Sequence, residues 1–213
     1  VGSLFMEGEL HKRNEKNDFP SYDLMVFSSN HIGNDHSGYN SYFEDYYTHF
    51  YWIKKFAEEC PNLNICIKLK KILTDNKVDK IFDNCKNVHI ILDKSDKNSD
   101  TYFIADKAKA LCTWSSTLGF EFIGYGKECY FLDPNLKNIG FIPNDEYILP
   151  AKVKSYVEFK NKIISKLKGE VNEKIMVNKE KFCYPSENVS IKILKTLRTF
   201  ENDHIIKSNY TFK

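Results

Sequence analysis

The chain has 213 residues, 42% of them hydrophobic and 15% aromatic, enough to bury one substantial core and too apolar for a disordered segment. Net charge is only +2 and arginine occurs just at Arg13 and Arg198, which excludes an arginine-rich surface for clamping duplex phosphates, so no nucleic-acid partner is expected. The six cysteines, Cys60, Cys66, Cys85, Cys112, Cys129 and Cys183, are widely spaced with no CxxC pair, which points to buried free thiols in a reducing compartment instead of disulfides or a metal site.

In chain order, residues 1–20 are polar after Met6 and read as a linker entering the first strand. Five short apolar runs follow, at 23–27, 65–69, 88–92, 110–113 and 129–132, and each reads as a strand. Between them, 42–59, 74–85, 101–107 and 117–125 read as helices, set off by Asn, Asp, Ser, Gly or Pro. Strict strand–helix alternation predicts helical crossovers and therefore parallel strands, covered on both faces. The near-continuous apolarity of each run fits strands buried on both sides. The expected fold is α/β: a doubly wound, mainly parallel, Rossmann-like sheet of five to six strands over residues 21–150. After Pro150 the pattern changes to helices only, at 153–168 and 190–199, divided by a loop holding Cys183, Tyr184 and Pro185. Residues 151–213 are read as a helical extension packing on the same domain.

No run approaches the roughly 20 apolar residues of a membrane span, and residues 1–6 lack the basic and apolar regions of a signal peptide. A cytoplasmic location is expected, compatible with the inner face of a membrane. The sequons at Asn188 and Asn209 are then inert.

The segment from Lys109 to Asp133, KALCTWSSTLGFEFIGYGKECYFLD, carries the chemistry. A strand ends in three hydroxyls, Ser115, Ser116 and Thr117, which lead straight into an amphipathic helix closed by Gly126. The first N–H groups of a helix lack intrahelical partners and the macrodipole adds positive charge there, so amides and hydroxyls together can hold a phosphate oxygen. Ligands of open α/β sheets sit beyond the carboxyl ends of the strands, where this cluster falls. Glu121, four residues after Thr117, stands one turn further along the same side of the helix. At that distance a carboxylate can accept from the hydroxyls of a ribose joined to the phosphate. The bland alternative is that Ser115, Ser116 and Thr117 only cap the helix and that Glu121 is solvated. Trp114 reads as core, with stacking on a base as the alternative.

The loop after the first strand, Ser28-Ser29-Asn30-His31-Ile32-Gly33-Asn34-Asp35-His36-Ser37-Gly38, is a second ligand candidate by position, through Ser29, Asn30 and Gly33. His31 and His36 are candidates for a catalytic base, while His-x3-Asp-His is no strong metal pattern. At the end of the second strand Lys68, Lys70 and Lys71 either neutralise phosphate, Lys70 foremost, or form a solvated turn. No GxGxxG, Walker, HExxH or GxSxG sequence occurs, which weakens dehydrogenase, NTPase, zinc protease and α/β-hydrolase readings.

In Ser116, Thr117, Gly119, Glu121 and Gly126, following a strand and preceding another, the chain resembles the C-terminal domain of GT-B glycosyltransferases, particularly bacterial surface- and capsular-polysaccharide enzymes related to Kdo, sialic acid and glycerophosphate transferases. The topological match extends over about residues 23–132. The resemblance implies a nucleotide-sugar donor with its phosphate on Ser115, Ser116 and Thr117 and its ribose on Glu121, a glycan acceptor, and a general base from an N-terminal partner domain. It also implies no metal or cofactor. Related transferases often carry Lys-x-His-Pro where this chain has Lys68-Leu69-Lys70-Lys71, so the phosphate contact assigned to that motif does not carry over. Two further readings accompany transfer: a sugar-nucleotide epimerase or hydrolase of the same fold, and a solitary nucleotide-binding module without chemistry.

Overall fold

The computed structural model describes residues 20–28, 43–69, 77–92, 99–114, 116–133, 146–182 and 191–199. Strands β1 (Leu24–Ser28), β2 (Ile65–Leu69), β3 (Val88–Leu92), β4 (Ala110–Trp114), β5 (Cys129–Leu132) and β6 (Lys152–Val153) form one sheet in the order β3-β2-β1-β4-β5-β6. Every pairing is parallel, with Leu24 opposite both Ile65 and Ala110. The expected doubly wound Rossmann-like architecture is therefore present.

Helices α1 (Phe43–Glu59), α2 (Lys77–Phe82), α3 (Ser99–Lys107) and α4 (Leu118–Gly124) are the crossovers, and α5 (Tyr156–Leu167) follows β6. The chain steps from β1 outward to β3, returns to β4 and then continues the other way. Because parallel crossovers are right-handed, α1 and α2 cover one face and α3 and α4 the other. Aromatic contacts agree: Phe50 of α1 meets Phe82 of α2, and Phe56 of α1 meets Phe159 of α5 at 5.3 Å. On the opposite face Phe122 of α4 packs on Phe27 of β1 and on Tyr102 of α3.

All residues of β1, β2, β4 and β5 are buried, as the unbroken apolar runs require. The flanking strand β3 leaves His89 exposed, and β6 is only two residues long, both ways of blunting a sheet edge. Among the described residues the cysteines Cys60, Cys66, Cys85, Cys112 and Cys129 are free, and burial pushes the Cys66 thiol up to about 12. Cys183 lies outside the described residues.

The expectation of helices only after Pro150 is corrected by β6, which docks Lys152 and Val153 beside Phe131 and Leu132. A two-residue strand is too short to show periodicity. Its presence also explains why α5 starts at Tyr156: Ser155 caps the helix by accepting from the Glu158 N–H at 3.2 Å, while Glu158 accepts from the Lys154 N–H at 2.9 Å. Among the described residues a short helix α6 (Glu173–Met176) and a nine-residue helix at 191–199 follow. The latter exposes Ile191, Leu194 and Leu197. None of the described helices is long and apolar enough to cross a membrane.

Side-chain amides and a carboxylate tie the amino ends of the strands together. The Asn87 amide donates to the carbonyls of Ala57, Cys60 and Leu63, capping the last turn of α1 and the turn after it. Asp23 accepts from the Asn64 N–H and the Lys109 ammonium, both at 2.8 Å. Burial pushes the Asp23 carboxyl up, but the Lys109 hydrogen bond, the Asn64 N–H and the Lys109 charge outweigh it and hold the group below its usual 3.8. A depressed folded-state value contributes stability that is full above the ordinary carboxylate range and is lost as pH falls through the folded value. Lys109 is well exposed, so about 1 kcal/mol or less is at stake. Asp23→Asn should therefore lower stability slightly at pH 7 and converge with wild type in acid; urea unfolding at pH 7 and below pH 3 checks this.

Candidate functional site

The strand order reverses between β1 and β4, and a crevice opens at the carboxyl ends of such a pair because the chain leaves β1 and β4 toward opposite faces. Ser28 and Trp114 are register partners at this edge. Ser116 and Thr117 follow directly, then α4, whose first turn carries Glu121. The structure thus brings Ser116, Thr117 and Glu121 to the carboxyl edge of the sheet. Ser115, Ser29, Asn30, Gly33, His31, His36 and Lys70 lie outside the described residues.

The start of α4 is tighter than an open helix end. Ser116 Oγ accepts from the Leu118 N–H at 3.3 Å, Ser116 O from the Gly119 N–H at 3.2 Å, and Thr117 O from the Phe120 N–H at 3.0 Å. The amides expected to lack partners are engaged in turn bonds, two of them at the long end of the hydrogen-bond range. An incoming phosphate oxygen would share or replace those two. The Thr117 side chain is exposed and makes no capping bond.

Gly119, one of the residues that carry the resemblance, is set by packing. A Cβ built on it would sit 2.6 Å from two ring carbons of Phe131 and 3.1 Å from Thr113 Cγ2. The glycine faces the sheet and lets α4 lie close against β4 and β5. Thr113 Oγ1 in turn donates to the Phe27 carbonyl at 2.7 Å, locking β4 to β1 beneath the crevice. At the far end of α4, Gly126 at φ 92° takes the left-handed conformation that closes the helix, with its N–H on the Ile123 carbonyl and the Lys127 N–H on that of Phe122.

Glu121 is not a solvated side chain: it is half-buried and accepts from the hydroxyl of Tyr102 on α3. A second bridge joins the other ends of the same two elements, where Lys127 donates to the Ala105 carbonyl at 2.7 Å and pairs with Asp106 at 3.2 Å. Tyr102 has no sequence signal beyond its place early in a helix. Trp114 is core, 2% exposed, its ring stacked on that of His49 of α1 at 5.5 Å and 2°. His49 also escapes the sequence reading, although its spacing from Ile53 and Phe56 puts it on the buried side of α1. Lys68 is buried within β2 and belongs to no solvated turn.

A cleft of about 510 Å³ lies elsewhere, between α5 and residues 170–174 and against Tyr130. Two of its three lysines are committed internally: Lys162 to the Pro150 and Lys152 carbonyls and to Glu158, and Lys166 to Glu128. No group of three or more His, Cys, Asp or Glu among the described residues could hold a metal.

The fold defines a class: an α/β Rossmann-like unit with a parallel six-stranded sheet between layers of helices. No protein-family model and no curated protein sequence matches the chain. Among solved structures it is similar to a protein of Listeria monocytogenes assigned as a UDP-N-acetylglucosamine 2-epimerase, with a TM-score of 0.63 at 11% identity over 95% of this chain and 53% of that one. It is also similar to MnaA of S. aureus in complex with UDP, at 0.56 and 10% over 91% of this chain and 51% of that one. A third is the UDP-GlcNAc 2-epimerase of Neisseria meningitidis bound to UDP-GlcNAc, at 0.55 and 14% over 91% and 48%. At these identities the likeness is one of fold. The chain spans about half the length of each neighbour.

Proposed function

We propose that this chain is the nucleotide-sugar-binding half of an enzyme that acts on the sugar of a bound nucleotide sugar, as an epimerase or hydrolase. The observation that carries this reading is the convergence of Ser116, Thr117 and Glu121 at the β1/β4 carboxyl edge in a fold similar to those of the UDP-N-acetylglucosamine 2-epimerases described above. Thr117 Oγ1, with the long turn bonds of Leu118 and Gly119 giving way, supplies donors for a diphosphate; Ser115 and Ser116 add hydroxyls. Glu121 accepts from ribose hydroxyls one helical turn away. Such fixed donors stabilise negative charge on phosphate oxygens without reorganising, which serves any reaction that loosens the bond between sugar and diphosphate. Lys70, Ser29, Asn30 and Gly33 remain proposed contacts from their chain positions, and His31 and His36 proposed bases.

Glycosyl transfer to a surface polysaccharide is the second reading, favoured by the pattern of Ser116, Thr117, Gly119, Glu121 and Gly126. The two are separated by products: incubation of the chain, alone and with any companion half, with radiolabelled UDP sugars gives a rearranged or free sugar in the first case and a labelled glycan in the second. Recovery of the label in a glycan alone would sink the epimerase reading.

Nucleotide binding itself is tested by thermal shift with UDP, CDP, CMP and GDP. At 100-fold excess over Kd a ligand adds about 2.7 kcal/mol of stability. Ser116→Ala and Glu121→Ala should each weaken binding about tenfold, the size of one hydrogen bond to a charged group. Stabilisation by no nucleotide, or stabilisation indifferent to both substitutions, overturns the site.

A further inference from the structure

Tyr102 is the fourth residue of α3, 1% exposed, with its ring 5.4 Å from that of Phe122 on α4 and its hydroxyl on Glu121 Oε2. The same Phe122 packs on Phe27 of β1, so the phenol is fixed by the core beneath it. Glutamate by itself has three side-chain torsions and loses considerable freedom when it is held in one rotamer. A buried phenol donating to one oxygen supplies that restraint from a neighbouring element. The bond is charge-assisted, a hydroxyl donating to a carboxylate oxygen. One such bond does not exhaust a carboxylate, which has about four acceptor sites. Both residues stand in the amino-terminal halves of their helices, and each helix enters from the carboxyl end of a strand, β3 for α3 and β4 for α4. The pair therefore lies at the ligand edge of the sheet. The Lys127 bridge to Ala105 and Asp106 fixes the far ends of α3 and α4, so the spacing between Tyr102 and Glu121 is set from both sides.

We infer that Tyr102 is a positioning residue for ligand discrimination: it holds the Glu121 carboxylate in the orientation that receives the vicinal hydroxyls of a ribose, and so sets the preference of the crevice for ribonucleotides over 2′-deoxyribonucleotides. This rests on the nucleotide site proposed above. It assigns the discrimination to a residue that touches no ligand.

The test uses the full chain and two probes, UDP and 2′-deoxy-UDP, titrated calorimetrically into wild type, Tyr102→Phe, Glu121→Ala and the double variant. Wild type should prefer UDP about tenfold, the equivalent of one hydrogen bond to a charged group. Tyr102→Phe keeps the ring on Phe122 and removes only the hydroxyl; the preference should fall to about threefold or less. Glu121→Ala should abolish the preference, and adding Tyr102→Phe to it should change nothing further. A merely structural tyrosine would shift the unfolding midpoint and leave the ratio of the two affinities where it was. If Glu121→Ala erases the preference while Tyr102→Phe retains it in full, the positioning role is overturned and the nucleotide site stands. If wild type binds neither probe, both fall together. An effect of Tyr102→Phe on the ratio that persists in the Glu121→Ala background shows that Tyr102 acts independently of Glu121, and it overturns the inference as well.

Discussion

Glu128→Ala is expected to destabilise the protein by about 3–5 kcal/mol, the usual consequence of removing one partner of a buried ion pair. The side chain is 1% exposed at the amino end of β5 and serves three donors: the Lys166 ammonium at 3.2 Å, the Tyr130 hydroxyl at 3.0 Å and the Asn172 N–H at 2.7 Å. Truncation leaves all three without their acceptor, and the Tyr130 side chain, 3% exposed, has little water to turn to in exchange. The carboxylate also connects three segments, β5, α5 and the turn before α6, so its loss loosens the covering of one sheet face and not one contact alone. For a chain of this size the melting temperature should fall by roughly 6–20 °C. Glu128→Gln, which retains an acceptor oxygen and loses the charge, should fall between wild type and alanine. Pairing Glu128→Ala with Lys166→Met should recover part of the loss, because the cation left unpaired is then removed too. Urea unfolding of the four proteins checks the series. An alanine variant within 1 kcal/mol of wild type would mean that this carboxylate does not hold the three segments together. Glu128 lies at the opposite end of the sheet from the crevice, so nucleotide affinity of the folded fraction should be unchanged.

Gly119→Ala should destabilise despite the better helix propensity of alanine. Propensity favours the substitution by about 1 kcal/mol. Against it stands a methyl placed 2.6 Å from the Phe131 ring, with overpacking costs of about 1–3 kcal/mol and sometimes more. The ring cannot swing aside cheaply: Phe131 is fully buried, with Phe120 at 4.9 Å, and Phe120 is itself backed by Phe182. The steric term therefore wins, and Gly119→Val, larger and β-branched, should be worse by a further margin. Since α4 would be levered off the sheet, Ser116 and Glu121 would move with it, and nucleotide stabilisation should fall together with the denaturant midpoint. A Gly119→Ala midpoint above wild type would show that propensity outweighs the clash. Gly126→Ala makes a useful contrast, because a Cβ there meets nothing within 4 Å and the strain comes from the positive φ alone.

The sequence by itself determined the α/β class and the five longer strands, because runs such as 129–132 have no polar face and can be buried only in a sheet covered on both sides. Alternation with helical segments then left parallel crossovers as the solution, and Gly126 marked the end of α4 since few other residues adopt its conformation. It also brought Ser116, Thr117 and Glu121 into one unit, since all three belong to a single strand–loop–helix and need no long-range contact to meet. What needed distant chain segments was decided only in the tertiary structure. Strand β6 exists because β5 offers an open edge, and its two residues have no pattern of their own. Gly119 is explained by Phe131, twelve positions away, and not by a ligand. The turn bonds that occupy the first amides of α4 follow from local backbone geometry, which residue types do not disclose. Glu121 reads as a ribose acceptor or a solvated side chain, and its partner is unknown until the fold brings Tyr102 of another helix against it. Hydrophobic periodicity and turn chemistry act over a few residues and are written locally; the partner of a polar side chain is set by the packing of whole elements, and becomes visible only when they are in place.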